Sequence, residues 1–377
     1  MNESHAASAA PSGRKKTPLW LLLLLDLLLA GALLCVFALF HHVIPYARGA
    51  SQGPIGTIQR PADQPSGPVA LAQDAENGGS EEPAPEPETE SGYTPIVTPK
   101  PTPEPTPEPT PDTRTEWQKK FAAHFTDEVV VTDHSYSSPQ VSIDITTYQE
   151  VIDGYNQVFY VADIYIAQVE NFQSWAGNGS FTSYFATPME ELAQSCDALL
   201  AINGDYCNAQ VQWGFFVRNG ELYNTDQTLC DICVLYYDGT METYDWRDYK
   251  VDDILARSPY QVWKFGPQLL DENGDPLPYF NTSEAIAIGN PRSGIGYYEP
   301  GHYCFVTCDG RHEEWSRGLT ISQYAQLFHD LGCKVAYNLD GGASATMAFM
   351  GSLYNRQSSE RDVGDILIIR EVGPAGA

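Results

Sequence analysis

Basic residues are scarce in this chain. Its 377 residues carry 21 Lys and Arg against 49 Asp and Glu, a formal net charge of −28. A surface of that sign repels phosphate backbones, so nucleic acid is excluded as a partner. It suits cations, neutral glycans or simple solubility, and an anionic substrate would need a local basic site. An even set of thiols is also lacking. Of eight cysteines, Cys35 lies in an apolar run and seven lie beyond it: Cys196, Cys207, Cys230, Cys233, Cys304, Cys308 and Cys333. An oxidising compartment permits disulfides, but this count leaves at least one thiol unpaired. Cys230-x-x-Cys233 and Cys304-x-x-x-Cys308 have zinc-like spacing. The second pair falls inside an apolar strand rather than a knuckle, which favours buried thiols or one or two disulfides.

Charge is nearly absent from residues 19–44, where Asp26 alone interrupts a run of Leu, Ala, Val and Phe. About 20 apolar residues cross a bilayer as a helix. Asp26 would be buried in a helix pair, lifted toward an interface, or serve as a functional intramembrane acid. Arg14, Lys15 and Lys16 precede the run and only Arg48 follows closely, so the N-terminus is expected in the cytoplasm. A cleaved signal peptide would have a shorter apolar region, about 7 to 15 residues, and a small-x-small site. The expectation is therefore an uncleaved single-pass anchor in the cell membrane. Residues 1–18 form its cytoplasmic tail, and everything after residue 45 is extracytoplasmic.

Residues 45–119 are expected to be a disordered stalk. From 51 to 115 they are rich in Pro, Gly, Ser and Glu and nearly free of aromatics. Such composition cannot bury enough apolar surface to offset chain entropy. The Thr-Pro and Glu-Pro alternation at 98–111 favours a polyproline II spacer. Residues 120–373 remain as one domain.

Within it, residues 158–168 alternate, with Val158, Tyr160, Ala162, Ile164 and Ile166 on one face of a strand. Thr187-Pro188-Met189-Glu190 reads as a capping box with Pro at the first helical position, opening a helix to Cys196. Residues 198–202, 285–289, 303–307, 334–337 and 366–370 read as strands. Asn219-Gly220 and Asp238-Gly239 signal tight hairpins. Thr320-x-x-Gln323 caps a helix that stops at Gly332. Many hairpins with few helix crossovers predict an α+β or mixed α/β domain with a mixed, largely antiparallel sheet, not a doubly wound one.

Four of these strands adjoin polar, glycine-bearing loops: Asn203-Gly204-Asp205, Asn290-Pro291-Arg292-Ser293, Asp309-Gly310-Arg311 and Asn338-Leu339-Asp340-Gly341-Gly342. Each alone could be a turn or an internal Arg–Asp pair. Together they point to one shared site at converging strand ends. The last loop has the sharpest signal: consecutive glycines let the backbone approach a ligand and can cradle an anion on N–H groups. Two arginines are available for an oxyanion or phosphate, and the carboxylates for acid–base work or a hard cation.

This combination resembles the phosphodiester glycosidase family, over roughly residues 155–371. The matching segments are Ala201-Ile202-Asn203-Gly204, Pro291-Arg292-Ser293-Gly294-Ile295-Gly296, Asp309-Gly310-Arg311, Ser316-Arg317-Gly318-Leu319-Thr320 and Asn338-Leu339-Asp340-Gly341-Gly342-Ala343-Ser344. Ser293 stands where the family usually has Thr, and Asp205 adds a charge where it has a small or apolar residue. The resemblance implies hydrolysis of a sugar-1-phosphodiester on its glycosidic side. Arg292 and Arg311 would hold the phosphate, and Asp340 or Asp309 would activate water or stabilise an oxocarbenium-like centre. Asn203, Gly204, Asp205, Ser293, Ser316, Asn338, Gly341, Gly342 and Ser344 would contact the substrate. No cofactor is required; calcium is the metal these oxygens could take, although no loop has a dedicated calcium spacing.

The expected substrate is a cell-surface or exopolysaccharide glycan, with no protein partner. The competing class is a non-catalytic glycan-binding or wall-assembly module, which would not need the Arg–Asp constellation. A sensor ectodomain is disfavoured by the short tail.

Overall fold

The computed structural model describes residues 28–32, 53–61, 112–182, 185–206 and 214–373. Of the expected anchor only residues 28–32 are described, and they are helical. The rest of that segment, and most of the stalk, lie outside the described residues. Among the described residues no helix is long and apolar enough to cross a membrane.

Three sheets build the domain, and every pairing between their strands is antiparallel. The six-stranded sheet runs β1 (Gly56–Thr57), β9 (Glu221–Asn224), β8 (Phe216–Arg218), β12 (Pro259–Trp263), β10 (Ile232–Tyr236) and β11 (Met241–Tyr244). The seven-stranded sheet runs β15 (Val335–Asn338), β13 (Arg292–Glu299), β14 (His302–Cys308), β5 (Tyr155–Ile166), β4 (Val141–Ile152), β3 (Ser135–Ser137) and β2 (Val130–Val131). The five-stranded sheet runs β17 (Ser352–Leu353), β16 (Met347–Phe349), β7 (Leu200–Asn203), β18 (Asp365–Ile369) and β6 (Phe172–Ala176). Among the described residues of the domain five short helices accompany them: α1 (Glu116–Lys120), α2 (Met189–Ser195), α3 (Val251–Leu255), α4 (Glu284–Ala287) and α5 (Ile321–Asp330).

The central core lies where side chains of all three sheets meet, among them Ile164, Leu200, Trp263, Phe305 and Tyr337. The face of β5 foreseen in the alternation (Val158, Tyr160, Ala162, Ile164, Ile166) points into it. Phe159 and Val161 on the opposite face are buried too, in the layer under α5 with Tyr324 and Phe328. A central strand covered on both sides needs apolar residues on both, which blurs the period of two.

Both foreseen hairpins form. Asn219 and Gly220 take positive φ (50° and 80°) between β8 and β9, the geometry of a two-residue turn that matches strand twist. Gly239 turns β10 into β11 at φ 81°. The Thr320–Gln323 capping box opens α5 as expected.

Three local expectations fail. Residues 285–289 are not a strand: α4 occupies Glu284–Ala287, because the Arg292 guanidinium takes the carbonyls of Ile286 and Ile288. The Thr187 capping box does not form. Thr187 is held by backbone bonds to Val363, its hydroxyl has no partner, and Pro188 becomes the N-cap. The stalk is not free throughout: β1 pairs with β9, Ile58 packs on the core under α3, and Arg60 bonds Glu170 at 2.5 Å.

Candidate active site

Antiparallel order brings the start of β13 and the ends of β14 and β15 to one edge of the seven-stranded sheet. Arg292 faces Cys308, and Gly294 faces Asn338. The end of β7, in another sheet, is tied to this edge by two bonds. The Asn203 side chain donates to the Asp340 carbonyl at 2.7 Å, and the Asp340 N–H donates to the Gly204 carbonyl at 3.3 Å. All four loops read from the sequence therefore adjoin one another.

A cleft of about 140 Å³ opens there, lined by Asn290, Arg292, Arg311, Asn338, Asp340, Gly341, Gly342 and Phe265 among others. A smaller cavity adjoins it, lined by Asn203, Gly204, Tyr206, Ser344, Arg361 and Asp365. Asp340 lines both. Its carboxylate accepts the Gly341 N–H at 2.9 Å. Burial pushes its pKa above the ordinary carboxylate value, and bonds from Ser344 and Gly341 with the Arg361 charge hold it partly down.

Two arginines flank this acid, and neither forms an ion pair among the described residues. Arg292 is only 2% exposed. Its Nε donates to Leu319 O at 2.6 Å, and its Nη2 to Ile286 O and Ile288 O, both at 2.7 Å. Burial pulls its pKa down to about 10, so it stays charged at neutral pH. Arg311 sits at φ 62° and its Nη2 donates only to Asn290 Oδ1, at 3.1 Å. It lies over Gly342, where a Cβ would come within 2.8 Å of Nη2. The φ of +64° at Gly342 also favours glycine.

The structure corrects several assignments. Asp309 is not in either cavity. It is fully buried and accepts four bonds, from Tyr160 (3.1 Å), Trp315 (2.8 Å), Asn355 (3.0 Å) and the Arg356 N–H (3.1 Å). Burial raises its pKa, and those donors pull against the rise. It is a structural hub, with no lone pair left for chemistry.

Asp205 is likewise buried, ion-paired to Arg218 at 2.6 Å with both side chains at 0% exposure, and it lines neither cavity. Ser293 is buried with no partner for its hydroxyl. The Ser316 hydroxyl donates to Asp309 O and accepts the Val158 N–H. Neither serine reaches the cleft.

Asn338 lines the cleft and Asn203 the smaller cavity, but both as braces: Asn338 donates to Gly266 O at 2.8 Å, and Asn203 accepts the Thr346 N–H at 3.1 Å. The expected N–H cradle is largely spent as well. Gly341 N–H goes to Asp340, and Gly342 N–H goes to Pro291 O. Gly204 packs against the Asp365 carboxylate, where a Cβ would lie 1.8 Å from Oδ2.

Arg361, Asp365 and Phe265 went unnoticed in the sequence. For Arg361 and Asp365 a signal existed: charges clustered at the entry to the apolar strand β18. Cys233, Cys304 and Cys308 are buried in strands of two different sheets. Among the described residues no group of three or more His, Cys, Asp or Glu is arranged to hold a metal ion.

The cleft thus sets a half-buried acid beside two arginines that form no ion pair among the described residues. Residues 197–370, which hold β7 through β18 and every residue lining the cleft, match the model of the phosphodiester glycosidase family. The chain is also 31% identical over 200 residues to the SPbeta prophage-derived uncharacterized protein YomE of Bacillus subtilis (strain 168). That similarity covers 50% of this chain and 31% of YomE, so the chain spans about a third of that relative's length. The fold is similar to the catalytic domain of zebrafish N-acetylglucosamine-1-phosphodiester alpha-N-acetylglucosaminidase, auto-inhibited by its pro-peptide. The TM-score is 0.52 at 21% identity, over 65% of this chain and 88% of that one.

Proposed function

We propose that this chain hydrolyses the glycosidic bond of a sugar-1-phosphodiester within a cell-surface or exopolysaccharide glycan, and that residues 19–44 tether it to the membrane. The observation that carries the reading is the pair of arginines in the cleft that form no ion pair among the described residues. A buried guanidinium bonded only to carbonyls keeps a net charge that is costly without an anion. A phosphodiester would supply that anion.

In this reaction water attacks the anomeric carbon, the bond from that carbon to the phosphate oxygen breaks, and the electron pair leaves on the phosphate. A phosphate monoester carries this charge near neutral pH, its second pKa being about 6. The departing group therefore needs cations more than a proton. Arg311 and Arg292, which line the same cleft, would stabilise it. Asp340 takes the proton from water, and its raised pKa suits a base better than an ordinary carboxylate does. Asp365 and Arg361 in the adjoining cavity are placed to contact the sugar or the base.

Turnover on a panel of sugar-1-phosphodiesters, read as released reducing sugar and phosphate monoester, tests this. Binding of glycans without cleavage of any panel member would leave the non-catalytic binding module as the function.

A further inference from the structure

Cys304 lies on β14 and Cys333 in the turn before β15, with β13 running between those strands. Their sulfurs are 3.6 Å apart. They meet above Gly296, which pairs with Cys304 on one side and Ala336 on the other. A Cβ on Gly296 would fall 2.6 Å from one sulfur and 2.7 Å from the other. The missing side chain thus provides the space in which the thiols face each other. Phe328 closes the same space, and Tyr298 packs against the apolar cluster that holds both thiols.

We propose that Cys304 and Cys333 are a disulfide-forming pair that staples β14 to the start of β15 across β13. The other end of β15 carries Asn338 and the Asp340 loop, so the staple fixes the strand that delivers the candidate base. The oxidant is a small-molecule or protein disulfide. One thiolate attacks it and expels a thiolate; the second thiolate attacks the mixed disulfide and expels the other. Two electrons pass to the external disulfide, and the two protons go to its released thiols.

Cys304 is 0% and Cys333 3% exposed, and burial holds the Cys304 thiol well above its ordinary pKa. Exchange in the folded state is therefore slow, and the bond closes as the chain folds. The inference does not depend on the reaction proposed above.

The whole chain is folded with a mixture of oxidised and reduced glutathione, alkylated in denaturant without reductant, digested and analysed by mass spectrometry. The expected result is a peptide linking Cys304 to Cys333 that vanishes on prior reduction. Closing this loop of about 30 residues predicts a melting temperature roughly 7–15 °C higher oxidised than reduced. Cys333→Ala is expected to melt at one temperature in both conditions. Recovery of both residues as alkylated thiols, or a link from either to another cysteine, overturns the proposal. So does a melting temperature of the unsubstituted chain that reductant leaves unchanged.

Discussion

Asp309 and Asp340 share a sequence context, each following an apolar strand and preceding glycine, yet the same substitution should separate them. In Asp309→Asn one carboxylate oxygen becomes an NH₂. Turned one way, the NH₂ faces the Asn355 amide and the Arg356 N–H and two bonds are lost; turned the other way it faces Trp315 and Tyr160, whose hydroxyl can accept instead, so the Trp315 bond alone is lost. The indole, amide and backbone N–H groups involved can only donate, so they cannot adapt. At about 1–3 kcal/mol for a buried group left unpaired, the variant should lose about 1–3 kcal/mol. That lowers the melting temperature by roughly 2–12 °C for a domain of this size.

Asp340→Asn behaves oppositely. Its carbonyl oxygen still accepts the Gly341 N–H. The folded state raises the pKa of Asp340, so ionisation works against folding once pH exceeds the unfolded carboxylate value of about 3.9. The Asn variant should melt at or above the wild-type temperature at pH 7, with the difference shrinking as pH falls toward that value. Turnover should fall about 100-fold or more, which is about 2.7 kcal/mol of barrier. Thermal melts at pH 4 and pH 7 beside initial rates would check both. A stable, fully active Asp309→Asn together with an unfolded Asp340→Asn would refute the division of roles.

Arg311→Met should cut phosphodiester turnover at least about 10-fold while shifting stability by less than about 0.5 kcal/mol, since the side chain makes one exposed bond; equal turnover would remove it from the site. Arg292→Lys keeps charge but loses the planar fork that reaches three carbonyls, so melting and turnover should both drop, whereas a loss of turnover alone would contradict its bracing of α4. Asp205→Asn breaks an ion pair with no solvent access and should destabilise by about 3–5 kcal/mol, read by chemical denaturation. The rate should fall as pH drops through the pKa of Asp340, above the ordinary value of 3.8; a profile flat across that range would mean another base. Ile58→Asp should free β1 and expose residues 53–61 to proteolysis without unfolding the domain, and unchanged resistance would show that the docking of Ile58 on the core does not hold the segment.

Hairpins and caps were legible because their signals are local. Asn219-Gly220 turns for reasons contained in two residues, and Thr320 caps α5 within one helical turn. The strand β5 was legible although both its faces are buried, because it is long. The run Ala285–Gly289 was misread because its conformation is set from outside. Its apolar alternation fits a strand, but Arg292 withdraws the carbonyls that a ladder would need. β1 was invisible for a similar reason: two residues in a Pro- and Gly-rich stretch become a strand only where β9 offers an unpaired edge.

The same distinction governs the site. The meeting of four loops followed from strand ends alone, but what each side chain does there did not. A carboxylate after a strand is a hub when aromatic and amide donors surround it, as at Asp309, and a candidate base when a cavity opens beside it, as at Asp340. The surrounding donors come from Tyr160, Trp315 and Asn355, far apart in the chain, and no spacing rule connects them. Arg292 shows the further step. Its side chain is at once the brace that turns 284–287 into a helix and a wall of the cleft, so the sequence segment that looked like one functional motif performs two physical tasks. Carbonyls take its Nε and Nη2 hydrogens but leave its charge, and that charge beside Asp340 is the property an anionic substrate can use.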